Sequence, residues 1–256
     1  MDIKVKWIVD DYLLQGTLSE SLPRIIKELG YECFVTKWIP FSDEASPVSF
    51  KEDECVIVYG THGIVDQLGN KFKPGAYSNS TVTRCSTYLP LFKGNLLNED
   101  YKFIKYEDAI KQPFPYFIRP NDGTKSFSGT VVFDETDLKK IDPTKITEDI
   151  VTASLQDISG EYRFLIVNNQ VVAGSQYRYM GRLDVRRDYP QEALEMAEYV
   201  ATFDMDLKCY MCDIAMTENG AKIIELNSFS SSGLYACDQE AIVDAVSKQA
   251  MRDYND

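Results

Sequence analysis

Oxygen-bearing side chains near the C-terminal end of the chain have a spacing that suits a metal ion. In "AKIIELN", strand alternation places Glu225 and Asn227 on one face. Asp213 lies in the preceding strand candidate, "LKCYMCDIAM", and falls opposite Glu225 if the "TENG" loop holds three residues with a left-handed Gly220. Carboxylate and amide oxygens are the ligands of hard cations such as Mg²⁺. We therefore predict a metal set of Asp213, Glu225 and Asn227, with a solvent-facing strand edge as the alternative.

Two cations flank a turn-rich segment in the middle of the chain. The stretch "PYFIRPNDGTKSFSG" places Arg119 at the end of a strand candidate and Lys125 six residues further on. The Pro, Asn, Asp and Gly residues between them favour turns over regular structure. This pattern predicts that an anion, a phosphate group, binds between Arg119 and Lys125.

A hairpin earlier in the chain gathers further charges. In "RFLIVNNQVVAGSQYR", Asn168 and Asn169 suit a two-residue turn that pairs Val167 with Gln170. Strict alternation then places six residues on one face of the sheet: Glu161, Arg163, Leu165, Val172, Gln176 and Arg178. The two arginines suit a phosphate or carboxylate because the planar guanidinium donates two parallel hydrogen bonds. The alternative is that they are solvated or pair with nearby acids.

The charge balance excludes some classes of partner. Among 256 residues, 40 are Asp or Glu and 27 are Lys or Arg, which gives a net charge of −13. This negative field repels nucleic-acid backbones, so we expect no nucleic-acid partner. No apolar run approaches the ~20 residues that cross a bilayer, and the start lacks the apolar core of a signal peptide. We therefore expect a cytoplasmic protein with no membrane partner.

Histidine and cysteine usage limits the chemistry further. His62 is the single histidine, which excludes catalysis or metal binding that needs two histidines. Its segment, "GTHG", follows a strand candidate and is a weak anion cradle, with a plain turn as the alternative. Cys209 and Cys212 have a metal-like spacing, but in a strand they point to opposite faces. We expect them to be reduced and buried.

The predicted elements divide the chain in two. Over residues 1–85, the strand candidates "IKVKWIV", "YECFVT" and "CVIVYG" alternate with a helix that ends at Gly30. Over residues 86–256, mostly antiparallel strand runs are joined by the helices "PQEALEMAEYVATF" and "CDQEAIVDAVSKQAMRDY". We predict an α/β (α+β) fold with two domains. The second domain divides further into residues of about 113–185 and residues 186–256.

In their order along the chain, these segments resemble the ATP-grasp superfamily over about residues 85–250. The carriers are Asp213 with "ELN", the strand and loop "FIRPNDGTKSFSG", and "GEYRFLIVNNQVVAGSQYR". Arg119 stands where the superfamily's "VKP" strand usually has a lysine. That arginine, together with a loop lysine such as Lys125, resembles a branch common in phages and bacteria. The resemblance implies antiparallel sheets around a nucleotide cleft, preceded by an α/β subdomain.

The resemblance also implies ATP and Mg²⁺ as cofactors. By the match of motifs, Arg119 and Lys125 contact the ATP phosphates. Ser154, Leu155 and Gln156 form the adenine hinge, although "TASLQD" lacks the acidic residue that many relatives place there. The three residues of the predicted metal set hold the Mg²⁺ that bridges the phosphates.

The remaining residues of the match bear on the reaction. Glu161 binds ribose, and Arg163 and Arg178 bind the γ-phosphate or a substrate carboxylate. The implied activity is an ATP-dependent, ADP-forming carboxylate–amine ligase that acts through an acyl phosphate. Its substrates are small-molecule or peptide carboxylates and amines, with an amino acid, a peptide or a protein as acceptor. An ATP-grasp kinase and a nucleotide-binding module without ligase activity are the alternatives.

Overall fold

The structure is a computed structural model that describes residues 4–15, 18–37, 50–51, 53–123 and 126–256. Strands and helices alternate in its first part, and strands dominate its centre. The strands are β1 (Lys6–Asp10), β2 (Glu32–Thr36), β3 (Cys55–Tyr59), β4 (Lys73–Gly75), β5 (Lys102–Ile104), β6 (Tyr116–Pro120), β7 (Thr130–Val132), β8 (Ile150–Ala153), β9 (Gly160–Val167), β10 (Gln170–Tyr179), β11 (Arg182–Arg186), β12 (Cys209–Thr217) and β13 (Gly220–Ser228). The helices are α1 (Asp11–Leu14), α2 (Leu22–Glu28), α3 (His62–Leu68), α4 (Cys85–Tyr88), α5 (Tyr106–Ala109), α6 (Glu135–Leu138), α7 (Gln191–Ala201) and α8 (Gln239–Asn255). The predicted mixed α/β fold is confirmed.

The N-terminal sheet is parallel, with strand order β2-β1-β3-β4. Every residue of β3 is buried, as expected for a parallel strand covered on both faces. Helix α2 ends before Gly30, whose φ of 87° terminates it in the left-handed region, as predicted. The predicted βαβ order of this part of the chain is therefore confirmed.

A small antiparallel sheet in the order β5-β8-β6-β7 carries Arg119. Its core contains Tyr116, Ile118, Val132 and Ile150. In β6, residues alternate between buried and partly buried positions, and Arg119 occupies a partly buried one. Pairing with β7 and β8 on both sides therefore holds Arg119 at a fixed position near the end of a central strand.

The largest sheet is antiparallel, with strand order β11-β10-β9-β12-β13. Asn168 and Asn169 have φ values of 47° and 63° and form the turn between β9 and β10. Val167 pairs with Gln170, as predicted. Helix α7 packs against this sheet, and α8 packs against both β9–β10 and the parallel strands β3 and β4.

Two register shifts in β10 change which side chains share a face. The first lies between Val171 and Ala173, and the second lies between Gln176 and Arg178. Strict alternation placed Gln176 with Arg163, and this prediction is wrong: Ser175 pairs with Arg163, and Gln176 pairs with Tyr162. The second shift restores the predicted arrangement further along, because Arg178 pairs with Glu161.

The β12–β13 hairpin reaches the predicted pairing by a different route. Gly220 has φ 87°, as predicted, but it pairs directly with Thr217, so the predicted three-residue loop is wrong. The extra residue is instead Ile224, at a register shift beside Asp213. Asp213 consequently pairs with Glu225, as predicted.

One hydrophobic cluster joins the N-terminal sheet to the largest sheet. It contains Trp7 and Ile57 from the first, Phe164 and Met211 from the second, and Val246 from α8. Burying one large apolar side chain contributes about 1.5–3 kcal/mol, so a shared core resists separation of the two sheets. No helix of the described residues is long and apolar enough to cross a membrane.

Candidate active site

The three residues of the predicted metal set lie together on β12 and β13. Asp213 and Glu225 are direct partners across the two strands. The Asn227 Nδ2 atom lies 2.9 Å from Glu225 Oε1 and 3.3 Å from Asp213 Oδ2, so its amide bridges the carboxylates. Asp213 is only 1% exposed. The cluster is therefore part of the interior, and the solvent-facing strand edge considered above does not describe it.

Arg163 neutralises Asp213. It lies on β9 directly opposite Asp213, and its Nε and Nη2 atoms donate to the two carboxylate oxygens at 2.8 Å and 2.7 Å. Its Nη1 atom donates to the carbonyl oxygen of Gly233 at 3.1 Å. Burial works to lower the pKa of Arg163, but the charge of Asp213 outweighs it and raises the pKa well above its ordinary value. Arg163 is therefore a permanent cation beside Asp213.

Arg119 neutralises Glu225 from the neighbouring sheet. Its Nη2 atom donates to Glu225 Oε2 at 2.6 Å, and its Nη1 atom donates to the carbonyl oxygen of Ile224 at 3.3 Å. Burial works to lower the pKa of Arg119, but attraction from Tyr88 and Glu225 outweighs it and raises the pKa. The contact with Ile224 depends on the register shift in β13. The shift therefore serves the site twice, by pairing Asp213 with Glu225 and by offering a carbonyl group to Arg119.

The charges of this centre balance without a ligand. Asp213 and Glu225 contribute two negative charges, and Arg119 and Arg163 contribute two positive charges. The two carboxylates fit a hard cation such as Mg²⁺, and turning the Asn227 amide over would add its Oδ1 atom to the donor set. A cation added alone would leave the centre with excess positive charge. The residues therefore fit Mg²⁺ that arrives together with an anion such as a nucleotide triphosphate.

Glu161 and Arg178 lie at the edge of the centre. The Arg178 Nη1 atom lies 3.4 Å from Glu161 Oε1, and the Arg178 side chain is 48% exposed. The Tyr177 hydroxyl donates to the other oxygen, Glu161 Oε2, at 2.7 Å. Arg178 and Glu161 thus lie two residues further along the strands than the buried Arg163, in a more exposed position open to a ligand.

The predicted hinge residues form contacts with a neighbouring loop. The backbone N–H of Ser154 donates to Asp100 Oδ2 at 3.0 Å, and its carbonyl oxygen accepts from Asn98 at 2.8 Å. The side chains of Leu155 and Gln156 are exposed, and Gln156 Nε2 donates to Ser154 Oγ at 3.2 Å. Ribose and adenine contacts of this segment remain predictions. Lys125, predicted to bind phosphate, lies outside the described residues.

The structure also places near the site residues whose roles the sequence did not suggest. Asn121, two residues after Arg119, is 6% exposed. Its Nδ2 atom donates to Glu148 at 2.7 Å, and its Oδ1 atom accepts from the N–H of Ser86 at 2.8 Å. In the sequence, an Asn after Arg-Pro indicates only a turn, because Glu148 and Ser86 lie far away along the chain. Asn121 fixes the start of the segment that carries Lys125.

The serine run after Asn227 is ordered by hydrogen bonds. Ser232 Oγ donates to the carbonyl oxygen of Ser228 at 2.7 Å, and Ser230 Oγ accepts from the N–H of Tyr77 at 2.9 Å. The carbonyl oxygen of Ser230 accepts from the N–H of Gly60 at 2.8 Å. The run therefore ties the metal-ligand strand to the end of β3 in the N-terminal sheet.

The end of β3 also answers the question raised by "GTHG". The N–H and Oγ1 of Thr61 donate to Asp10 Oδ2 at 3.1 Å and 2.6 Å. A carboxylate of the protein itself thus occupies the donors of this turn. This arrangement favours the plain strand-end turn over an anion cradle.

The comparison with known families agrees with this fold and this centre. A family described as an ATP-grasp domain, the second family of its clade, matches residues 100–245. This match covers more than half of the chain, and the chain therefore belongs to this ATP-grasp family. The resemblance inferred from the motifs is confirmed. No curated protein sequence matches the chain.

Solved structures of similar fold are ATP-grasp ligases and synthetases. The D-cycloserine synthetase DcsG has a TM-score of 0.61 and 11% identity, with 96% of this chain and 99% of that chain covered. The D-alanine–D-alanine ligase from Bacillus anthracis in complex with ATP has a TM-score of 0.60 and 12% identity, with 99% of each chain covered. The ATP-grasp ligase PsnB, complexed with a minimal precursor, Mg and ADP, has a TM-score of 0.57 and 14% identity, with 96% and 98% covered. At such identities the similarity concerns the fold.

Proposed function

We propose that this protein is an ATP-dependent, ADP-forming ligase that joins a carboxylate to an amine through an acyl phosphate. The observation that carries the proposal is the buried centre of Asp213, Glu225 and Asn227 with two arginines, in a chain of an ATP-grasp family. Similar structures are named as ligases, and one holds Mg and ADP. The substrate class is an amino acid, a peptide or a protein that bears the carboxylate or the amine.

In this proposal, Asp213, Glu225 and Asn227 hold Mg²⁺ through side-chain oxygens. Bound Mg²⁺ neutralises the phosphate oxygens between which charge moves during transfer. Asn227 turns its amide so that Oδ1 faces the ion. Glu225 exchanges part of its contact with Arg119 for the ion, and Arg119 then donates to the nucleotide phosphates.

Anion alignment is the main task of the remaining residues. Two anions, a carboxylate and a triphosphate, have to approach each other inside a protein of net charge −13. Arg163 holds the γ-phosphate from its fixed place beside Asp213. Arg178, more exposed, orients the substrate carboxylate. Lys125 closes onto the phosphates with its loop and excludes water that would hydrolyse the acyl phosphate.

This reaction needs no nucleophile from the protein, which agrees with the residue inventory. The chain has one histidine, and the cysteine thiols are buried. Burial raises the pKa of Cys237, the thiol near Arg163, to about 11, so it is protonated at neutral pH. The groups that remain for chemistry are the cations and the oxygen ligands of the centre.

Product analysis tests the proposal. ADP release is measured with Mg·ATP and a panel of amino acids and peptides, and the products are identified by mass spectrometry. A ligase forms an amide, and ADP accumulates fully only when a carboxylate and an amine are both present. A phosphorylated hydroxyl compound would instead identify a kinase, and nucleotide binding without turnover across the panel would identify a binding module.

A further inference from the structure

Arg163 has hydrogen-bonding capacity left for a ligand. An arginine side chain carries five N–H donors. The three hydrogen bonds described above go to Asp213 and Gly233, and they use one N–H of each nitrogen atom. One N–H on each terminal nitrogen remains beyond these bonds. A buried cation with such donors is suited to an anionic oxygen, which can accept both.

Two tyrosines cover this guanidinium. The Arg163 Cζ atom lies 5.0 Å from the ring centroid of Tyr235 and 5.7 Å from that of Tyr177. The two rings are stacked on each other, with centroids 4.9 Å apart and planes inclined by 11°. Guanidinium groups are attracted to aromatic faces, and the attraction grows where water is excluded. The rings therefore restrict the rotation of Arg163 on the sides that Asp213 does not hold.

Both tyrosines reach Arg163 through local irregularities of the backbone. Tyr177 is the extra residue at the second register shift of β10, and its hydroxyl donates to Glu161. A residue at such a shift is turned away from the regular alternation. Tyr235 has φ 50°, in the left-handed region that a large side chain rarely adopts. Such conformations persist where the surrounding structure fixes them, and they cluster at functional sites.

Tyr235 is also placed unlike a core residue. It is half-buried and lies in the loop between the serine run and α8, whereas Tyr177 is 8% exposed. Its ring thus forms the outer layer of the stack over Arg163. Removing that ring uncovers the guanidinium without opening the hydrophobic core.

We propose that Tyr177 and Tyr235 are positioning residues that aim the two remaining N–H groups of Arg163 at the γ-phosphate of the bound nucleotide. This inference rests on the proposed function, because it takes a nucleoside triphosphate as the ligand. Asp213 holds one edge of the guanidinium, and the stacked rings hold its face. The free edge then points in one direction only, toward the terminal phosphate.

The test compares three variants of the full chain. Tyr235→Asn removes the ring and keeps a residue that tolerates φ 50°. Tyr235→Phe keeps the ring and removes only the hydroxyl. Tyr199→Asn is the control, because Tyr199 is a half-exposed aromatic residue of α7 that stacks on Phe203, away from Arg163. Circular dichroism checks that each variant is folded.

Two measurements are made on each variant. The first is hydrogen exchange of the Arg163 Nε–H with water, followed by NMR on protein labelled at arginine Nε. The signal is assigned by its loss in Arg163→Lys. The second is the ratio of the affinities for Mg·AMP-PNP and Mg·ADP, measured by calorimetry. This ratio reports the γ-phosphate alone, so a general loss of stability does not change it.

We expect Tyr235→Asn to speed the Arg163 exchange at least tenfold and to lower the AMP-PNP to ADP affinity ratio at least fivefold. Tyr235→Phe and Tyr199→Asn should leave both quantities within twofold of the wild-type values. An unchanged value of either quantity in Tyr235→Asn, or an equal loss in Tyr235→Phe, overturns the inference. If the wild-type protein binds neither nucleotide, the proposed function fails instead, and the exchange rates still decide whether Tyr235 holds Arg163.

Discussion

Arg163 and Asp213 form a two-point ion pair between adjacent strands, with Nε–Oδ1 and Nη2–Oδ2 distances of 2.8 Å and 2.7 Å. The side chains are 9% and 1% exposed, so solvent screens the pair little. A carboxylate suited to metal binding is thus already neutralised by the protein itself. The arginine therefore stabilises the sheet as well as the proposed ligand site.

Replacing Arg163 tests the stabilising role. In Arg163→Met, the Asp213 carboxylate stays buried without a counter-charge, and we expect the free energy of unfolding to fall by about 3–5 kcal/mol. Urea denaturation measures it. The control is Arg186→Met, which breaks an exposed pair with Asp184 and should change stability by no more than about 0.5 kcal/mol. Equal losses in the two variants would show that the buried pair has no special weight.

The balanced charges predict that Mg²⁺ and nucleotide bind together. Mg²⁺ alone should bind weakly, since Arg119 and Arg163 already neutralise both carboxylates. In Arg119→Met, Glu225 loses its partner, and we expect Mg²⁺ alone to bind at least about tenfold more tightly, a change of about 1.4 kcal/mol. Calorimetry with MgCl₂ alone measures this, and Arg84→Met, which breaks a pair with Glu148, is the control. Equal affinities in wild type and Arg119→Met would contradict the charge argument.

Lys125→Ala tests the phosphate loop. If Lys125 donates a charge-assisted hydrogen bond to a phosphate, the variant loses about 1.5–3 kcal/mol of that contact. We expect a Michaelis constant for ATP raised at least about tenfold and slower turnover, both measured by ADP release. Lys140→Ala removes an exposed lysine paired with Asp137 and serves as the control. Wild-type kinetics in Lys125→Ala would remove the loop from the mechanism.

The buried thiols predict a loss of stability in alkaline solution. Burial raises the pKa of Cys33, Cys55 and Cys237 from 9.0 to about 11. Between these values the unfolded chain loses the thiol protons while the folded chain keeps them. Stability therefore falls as pH rises through this window, by at most about 1.4 kcal/mol per pH unit for each thiol.

Urea denaturation at about pH 8.5 and about pH 10.5 measures this loss, because the first condition lies below the window and the second lies inside it. Replacing the three cysteines by alanine should reduce the difference in stability between the two conditions. A wild-type stability that does not change between them would contradict the assigned burial of these thiols.

Residue alternation predicted much of the site because the pairing of strands follows from local patterns. The Asn168–Asn169 turn fixed the β9–β10 register, and the pairing of Asp213 with Glu225 was correct. The position of Gln176 and the length of the loop at Gly220 were wrong, because β-bulges shift the register by one residue. Bulges depend on packing against other elements, and alternation in one strand does not contain that information.

The ion pairs of the centre illustrate a second limit. Arg119 and Glu225 were each predicted to lie in the site, but their mutual contact joins strands of different sheets. The sequence identifies which groups are charged, whereas their pairing requires the three-dimensional arrangement of the sheets. For the same reason, the stack of Tyr177 on Tyr235 could not be predicted from spacing.

Binding of Mg·AMP-PNP to wild type and Glu225→Gln tests the central claim most directly. Glutamine keeps the size of the side chain but removes the charge that attracts the metal, so we expect calorimetry to show nucleotide affinity at least about a hundredfold lower. Glu240→Gln, an exposed substitution in the first turn of α8, should bind like wild type. Tight wild-type binding that is lost in Glu225→Gln is the predicted result. Equal Mg·AMP-PNP affinity in wild type and Glu225→Gln would contradict the account.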